Sequence, residues 1–230
     1  MSQLVVVVGA GILAHALVRD FRGKWFLRFL VLLPWAAPVA LTTIAFTWIL
    51  DPTFSILSWA MEKTHTLGAF CGLTGIQNCS VTSPPNWVGQ TTLAKISIIT
   101  VHSWRILPFA TVIFLAGIAS IPREVDDAAA VDGATGLKKF WYISLPLQLP
   151  IAIIAVLFGI VFTATDMTVT YVLTHGGPYN STHVLTTDAF QVGIESGRLG
   201  AGAAISLYLL PVLAVVAIGM LIAARRAEVA

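Results

Sequence analysis

The sequence predicts an all-α, polytopic membrane protein, and three observations carry that prediction: composition, the length of the apolar runs and the placement of basic residues. The chain is 57% hydrophobic and 10% charged, where a soluble domain carries about 25% charged residues. Five apolar stretches divide it. Residues 4–18, 29–50 and 201–224 contain no Asp, Glu, Lys or Arg, residues 96–121 carry only Arg105, and residues 147–173 carry only Asp166. A helix needs about 20 residues to cross a bilayer. The last four stretches meet that length, so about five spans are expected, the first of them short.

The basic residues orient the chain. Of 13 Lys and Arg, nine fall on one side if the spans alternate: Arg19, Arg22, Lys24, Arg28, Arg123, Lys138, Lys139, Arg225 and Arg226. Lys63, Lys95 and Arg198 fall on the other, and Arg105 lies within a span. The basic side is cytoplasmic by the positive-inside rule. The 122–146 loop and the 225–230 tail are therefore expected inside, and Met1 outside.

The elements follow in order. Residues 4–18 give about 22 Å of helix, short of the ~30 Å hydrocarbon core. This run reads as the end of a helix whose beginning lies upstream of Met1, so a further span is expected there; no basic residue precedes it as in a signal peptide. Residues 29–50 make the next span. The outer loop, 51–95, is the longest non-spanning stretch, and residues 54–61 in it have helical apolar spacing with Trp59 at headgroup depth. Cys71 and Cys79 lie in this loop, where disulfides are permitted. Two cysteines fix connectivity but not oxidation, and a disulfide and two free thiols both remain open.

Residues 96–121 run inward and 147–173 run outward. A charge at mid-membrane costs about 2.5–3.5 kcal/mol even on the mild insertion scale. Arg105 and Asp166 are thus candidates either for a polar pathway lining or for a structural ion pair that orders the helices. Trp104, Phe162 and Tyr171 flank them, as stacking faces for a sugar ring or as ordinary packing. Residues 175–180, His-Gly-Gly-Pro-Tyr-Asn, read as an outer turn. Residues 201–224 form the last span.

Between the second and third apolar runs that reach span length, 96–121 and 147–173, lies a polar island. Ser120 and Pro122 suit a helix start, and Glu124, Asp126 and Asp127 place negative charge at its positive end. Ala128, Ala129 and Ala130 give a small, smooth surface, Gly133 supplies a stop, and Thr135 can open a second short helix. Read on its own, this is either a docking element or a structured loop without a partner.

The spacing decides between them. Asp127-Ala128-Ala129, then Gly133, then Ile143-Ser144-Leu145-Pro146 resembles the cytoplasmic EAA loop of permease subunits in binding-protein-dependent ABC importers, with Asp127 where that family usually has Glu. Thr174, Gly176, Gly177, Pro178 and Thr182, together with Ala116-Gly117 and Ile121-Pro122, look like the sugar-importing, maltose/trehalose-type branch.

The resemblance implies a single transmembrane permease domain over 1–230, with six spans in a full family member, in a bacterial cytoplasmic membrane. It implies that Glu124, Asp127, Ala128, Ala129, Gly133, Ile143, Leu145 and Pro146 couple to a cytoplasmic ATPase. Arg105, Asp166, Trp104 and Tyr171 are the candidate translocation-pathway residues. The implied partners are a second related permease, two ATPase subunits, an extracytoplasmic solute-binding protein, membrane lipid and a sugar substrate, a disaccharide or oligosaccharide. No nucleic acid is implied.

ATP and Mg are expected on the ATPase. This chain has no Gly-x-x-x-x-Gly-Lys-Ser/Thr run, no metal-ligand spacing among its histidines and no catalytic constellation, so it is expected to be a transport subunit and not an enzyme. Two other classes compete. One is a secondary transporter using Arg105 and Asp166 for ion coupling; the other is a structural membrane scaffold.

Overall fold

The computed structural model describes residues 1–18, 21–74, 79–80, 84–134 and 137–229. Among them there is no strand. The helices run in the order α1 (Ser2–Val18), α2 (Lys24–Ala36), α3 (Val39–Ile49), α4 (Ile56–Lys63), α5 (Leu67–Thr74), α6 (Thr91–Ala119) and α7 (Arg123–Val131). Then come α8 (Leu137–Lys139), a π-helical turn Phe140–Ser144, α9 (Leu145–Thr165), α10 (Thr168–Thr174), α11 (Leu185–Phe190), a second π-helical turn Gln191–Glu195 and α12 (Leu199–Val229).

Among the described residues, three helices are long and apolar enough to cross a bilayer: Thr91–Ala119, Phe140–Thr165 and Leu199–Ala227. The pair α2 and α3 makes a fourth if counted as one crossing, and α1 is apolar but shorter. Together these account for the five expected stretches, though two differ from the uninterrupted spans read from hydropathy. Residues 29–50 are broken at Ala37 and Pro38, and Pro38 is extended at φ −57°, ψ 125°. A proline disfavours helix in the residue before it and lacks an N–H for the helix to use. Residues 147–173 are also broken. The helix ends at Thr165 and restarts at Thr168, so Asp166 sits at a helix break and not inside a continuous span. Hydropathy averages over such breaks and does not register them.

The chain divides into two compact units. The first comprises Met1–Ala36, Ser103–Thr165 and Leu207–Ala230, and the second comprises Ala37–His102 and Asp166–Ser206. In the first, Val6, Ala10 and Ala14 of α1 pack with Ile106, Ala110 and Phe114 of α6 and Ala155 of α9. The i, i+4, i+8 spacing puts the two small alanines on one face, which lets helices approach closely where lipid offers no hydrophobic drive. Trp35, Phe109, Phe158 and Phe162 form an aromatic cluster in the same unit, with Phe162 5.5 Å from Trp35 and 5.3 Å from Phe109. Phe162 is thus a packing residue.

Two basic residues of the first loop have local work. Lys24 Nζ donates to the Val18 carbonyl at 3.1 Å, and Arg28 Nη2 donates to that of Leu17 at 3.4 Å. They close the carbonyl end of α1, where cations are favoured. Arg19 of the orientation argument lies outside the described residues.

In the second unit, Leu50, Trp87, Leu93, Val101, Val169 and Leu173 form the core. The outer loop is anchored to it. Trp87 is buried, its Nε1 donates to Ser58 Oγ at 2.8 Å, and Ser97 Oγ donates to the Trp87 carbonyl at 3.1 Å. The helix expected over 54–61 is α4, begun two residues later than hydropathy suggests because Ser55 Oγ caps it by accepting from Ser58 N–H at 3.1 Å. Trp59 on it is exposed. Cys71 and Cys79 are joined by a disulfide with Cα atoms 5.4 Å apart. The turn read over residues 175–180 is tight: His175, Gly176, Tyr179 and Asn180 all have positive φ, and Thr182 Oγ1 donates to the Gly177 carbonyl at 2.7 Å.

Candidate functional site

The loop after α6 is built from short-range rules. Ser120 does not start α7. Its Oγ donates back to the Gly117 carbonyl at 2.8 Å, finishing α6, and the start falls to Pro122, extended at φ −60°, ψ 144°. Pro122 fixes the entry angle and needs no N–H of its own. Glu124 then lies in the first turn, where the helix dipole favours an acid.

The end of α7 is a Schellman cap. Ala134 N–H donates to the Ala129 carbonyl at 2.8 Å and Gly133 N–H to that of Ala130 at 3.1 Å. This pair of bonds requires a left-handed residue at the turn, and Gly133 has φ +69°.

The surface of α7 is asymmetric. Glu124, Asp127, Ala128 and Val131 are all exposed, and their i, i+3, i+4, i+7 spacing sets them on one stripe. Val131, at the end of the stripe, is 88% exposed although apolar. Ala129 is 3% exposed and faces its own chain. The smooth surface expected from three alanines is therefore made by Ala128 and Ala130, with Ala129 turned away from it.

The return arm differs from the separate second helix expected. Thr135 lies outside the described residues, and from Leu137 the helix runs through the π-helical turn Phe140–Ser144 directly into α9. Leu145 N–H donates to the Phe140 carbonyl, an i→i−5 bond. The next residue, Pro146, has no N–H, and its ring would clash with the carbonyl four residues back in a tight α turn. A widened turn relieves that clash. Ile143 and Leu145 are half-buried and Pro146 is exposed. The loop residues thus share one unit and one capped helix-turn-helix.

The candidate pathway residues are placed separately. Arg105 is half-buried on α6 in the first unit, and Trp104 beside it is 40% exposed. Asp166 belongs to the second unit. Its Oδ1 accepts from Thr168 N–H at 2.8 Å, which starts α10, and its Oδ2 lies 4.0 Å from His102 Nδ1. Sequence reasoning missed His102 as a neighbour because that histidine lies 64 residues away and shares no motif with it. Tyr171 donates its hydroxyl to Glu195 at 2.5 Å, with the His175 and Phe190 rings 4.8 and 5.0 Å away. Among the described residues, no group of three or more His, Cys, Asp or Glu could hold a metal ion.

Comparison with known proteins places this geometry. Residues 7–229 match the family model described as "Binding-protein-dependent transport system inner membrane component". The chain is 32% identical over 216 residues to a "Probable ABC transporter permease protein" of Brucella suis biovar 1, covering 92% of this chain and 70% of that protein. It is 32% identical over 197 residues to the "Trehalose/maltose transport system permease protein MalF" of Thermococcus litoralis, covering 85% of this chain and 61% of that one. In fold it is similar to a chain in the crystal structure of a bacterial ABC transporter involved in the import of the acidic polysaccharide alginate. The TM-score is 0.75 at 17% identity, with 98% of this chain and 77% of that one covered.

Proposed function

This chain belongs to the family of binding-protein-dependent transport system inner membrane components, and we propose that within it the protein lines, with a second permease, the pathway of an ATP-driven sugar importer. As a family member it is a transport component and not an enzyme. Its proposed solute is a disaccharide or oligosaccharide. That choice is supported by a relative named for trehalose and maltose and by a structural neighbour crystallised with an alginate pentasaccharide-bound periplasmic protein.

The observation that carries the coupling role is the exposed stripe of Glu124, Asp127, Ala128 and Val131 on a helix capped at Gly133. An apolar side chain left 88% exposed at the end of an acidic stripe suits a surface completed by another protein. The partner is a cytoplasmic ATPase that carries the ATP and Mg. Closure of the ATPase dimer would move α7, and α7 would move the spans on either side of it. Two ATPases, the second permease and an extracytoplasmic binding protein complete the assembly, in a bacterial cytoplasmic membrane with the 225–230 tail inside. Arg105, Asp166, Trp104 and Tyr171 are the proposed polar and aromatic pathway residues.

Uptake of labelled trehalose, maltose and longer oligosaccharides into vesicles tests the reading. ATP-dependent uptake that requires the ATPase is expected. Uptake driven by an ion gradient without ATP would replace it with a secondary transporter, and movement of no solute would leave a scaffold.

A further inference from the structure

The 51–95 loop of the second unit holds an open cavity of about 550 Å³, within the roughly 300–1,000 Å³ range of small-molecule sites. Its walls are residues 52–55, one face of α4 and Pro84. Ser55, Ser58, Trp59 and Glu62 fall at i, i+3, i+4 and i+7, which sets them on one stripe of that helix. Part of the wall is fixed from behind. Asp51 Oδ1 accepts from the N–H groups of Thr53 and Phe54 at 2.8 and 2.9 Å, holding the turn into α4. Ser55 Oγ donates to the Ile49 carbonyl at 2.9 Å, and the buried Ser58 is tied to Trp87. The rest of the wall is open: Phe54 and Trp59 are 77% and 58% exposed, and Glu62 is exposed as well.

The open residues select the ligand. Phe54 and Trp59 offer aromatic faces, which take apolar C–H surface. The Glu62 carboxylate only accepts hydrogen bonds, and among the described residues no Lys, Arg or His lines the cavity. A purely apolar ligand would strip water from Glu62 and return no donor, and an anion would be repelled. A cation gains little from aromatic faces as exposed as these. A pyranose meets both demands, because its ring C–H groups form an apolar face and its hydroxyls donate from the edge. Hydroxyl-to-carboxylate bonds are charge-assisted and stronger than neutral ones.

We propose that this cavity binds a neutral disaccharide or oligosaccharide, one ring stacked on Trp59 with its hydroxyls donating to Glu62. The proposal rests on the sugar-importer reading and narrows it, since the preferred solute carries no acidic ring. A uronate would bring a second carboxylate to the Glu62 wall. Two like charges about 4 Å apart in water weaken binding by about fivefold, so an acidic saccharide is disfavoured. Because the 51–95 loop is expected outside, the cavity meets free solute with no binding protein present.

The test uses the full chain with its partner subunits in nanodiscs, without binding protein, photolabelled with diazirine derivatives of maltose and trehalose. Saturable labelling within residues 52–62 is expected, competed by the unlabelled sugars. A disaccharide bearing one glucuronic acid should need about fivefold more to compete. Trp59→Ala should weaken labelling by about tenfold. Glu62→Gln should weaken it by about the same factor and bring the neutral and acidic competitors level. If either variant fails to assemble, the two competitors on the unaltered complex decide. Equal competition by neutral and acidic sugar there, or unchanged labelling of Trp59→Ala, would overturn the proposal. So would competition by choline and not by sugar, which marks an organic-cation site, or labelling by a diazirine phospholipid alone, which marks a lipid-covered one. Uptake measured on the same complex with binding protein added keeps the two readings apart. ATP-driven uptake without labelling overturns the site alone, and loss of both overturns the importer reading with it.

Discussion

At Gly133 the backbone sits at φ +69°, where an L side chain pushes its Cβ toward the following carbonyl at a cost of about 1–2 kcal/mol. Nothing lies within 4 Å of a Cβ built there, so the cost is conformational and not steric crowding by neighbours. Gly133→Val should therefore lower stability by about 1–2 kcal/mol and unravel the cap on α7, while Gly133→Asn should cost less. Thermal unfolding in detergent, read beside ATPase retention, separates the two; equal losses would move the cause away from φ. This residue was legible in the sequence because cap and turn rules act over a few neighbours. Asp166 was legible only as a costly charge. That it starts α10 through Thr168 N–H depends on a helix break that an apolar run conceals.

Among the elements, α7 separates two kinds of apolar residue, Val131 turned outward and Ala129 turned inward. Val131→Asp alters an exposed position and should leave thermal stability within about 0.5 kcal/mol while reducing co-purification of the ATPase. Ala129→Glu buries a charge within its own chain and should destabilise by about 3 kcal/mol or more, with docking lost as a consequence. Identical stability of the two variants would contradict the orientation of the helix. A second close contact lies between the Gln191–Glu195 turn and α12. A Cβ on Gly202 would come within 2.7 Å of the Ala189 carbonyl oxygen and also meet Gly193 Cα, whereas one on Gly193 would stand 3.3 Å from Gly202 Cα. Gly202→Ala should thus cost about 1–3 kcal/mol and Gly193→Ala less, an ordering that denaturation midpoints would check. The existence of these helices was legible from hydropathy and the loop from its spacing. The π-helical turns were not, since they answer to ring clashes and close backbone approach and not to composition.

For the molecule as a transporter, the proposed pathway role of Arg105 and Asp166 has a direct measurement. Arg105→Met and Asp166→Asn should each lower the rate of solute uptake while the ATPase still co-purifies; uptake at the wild-type rate in either variant would remove that residue from the pathway. The split character of α7 reaches further, into heredity. Position 129 is constrained by its own polypeptide, whereas positions 124, 127, 128 and 131 face outward. Second-site revertants of a damaged Val131 should therefore arise in the gene of the ATPase, and those of a damaged Ala129 within this reading frame. If the proposed docking holds, one buried methyl group sets which of two genes is free to repair the other.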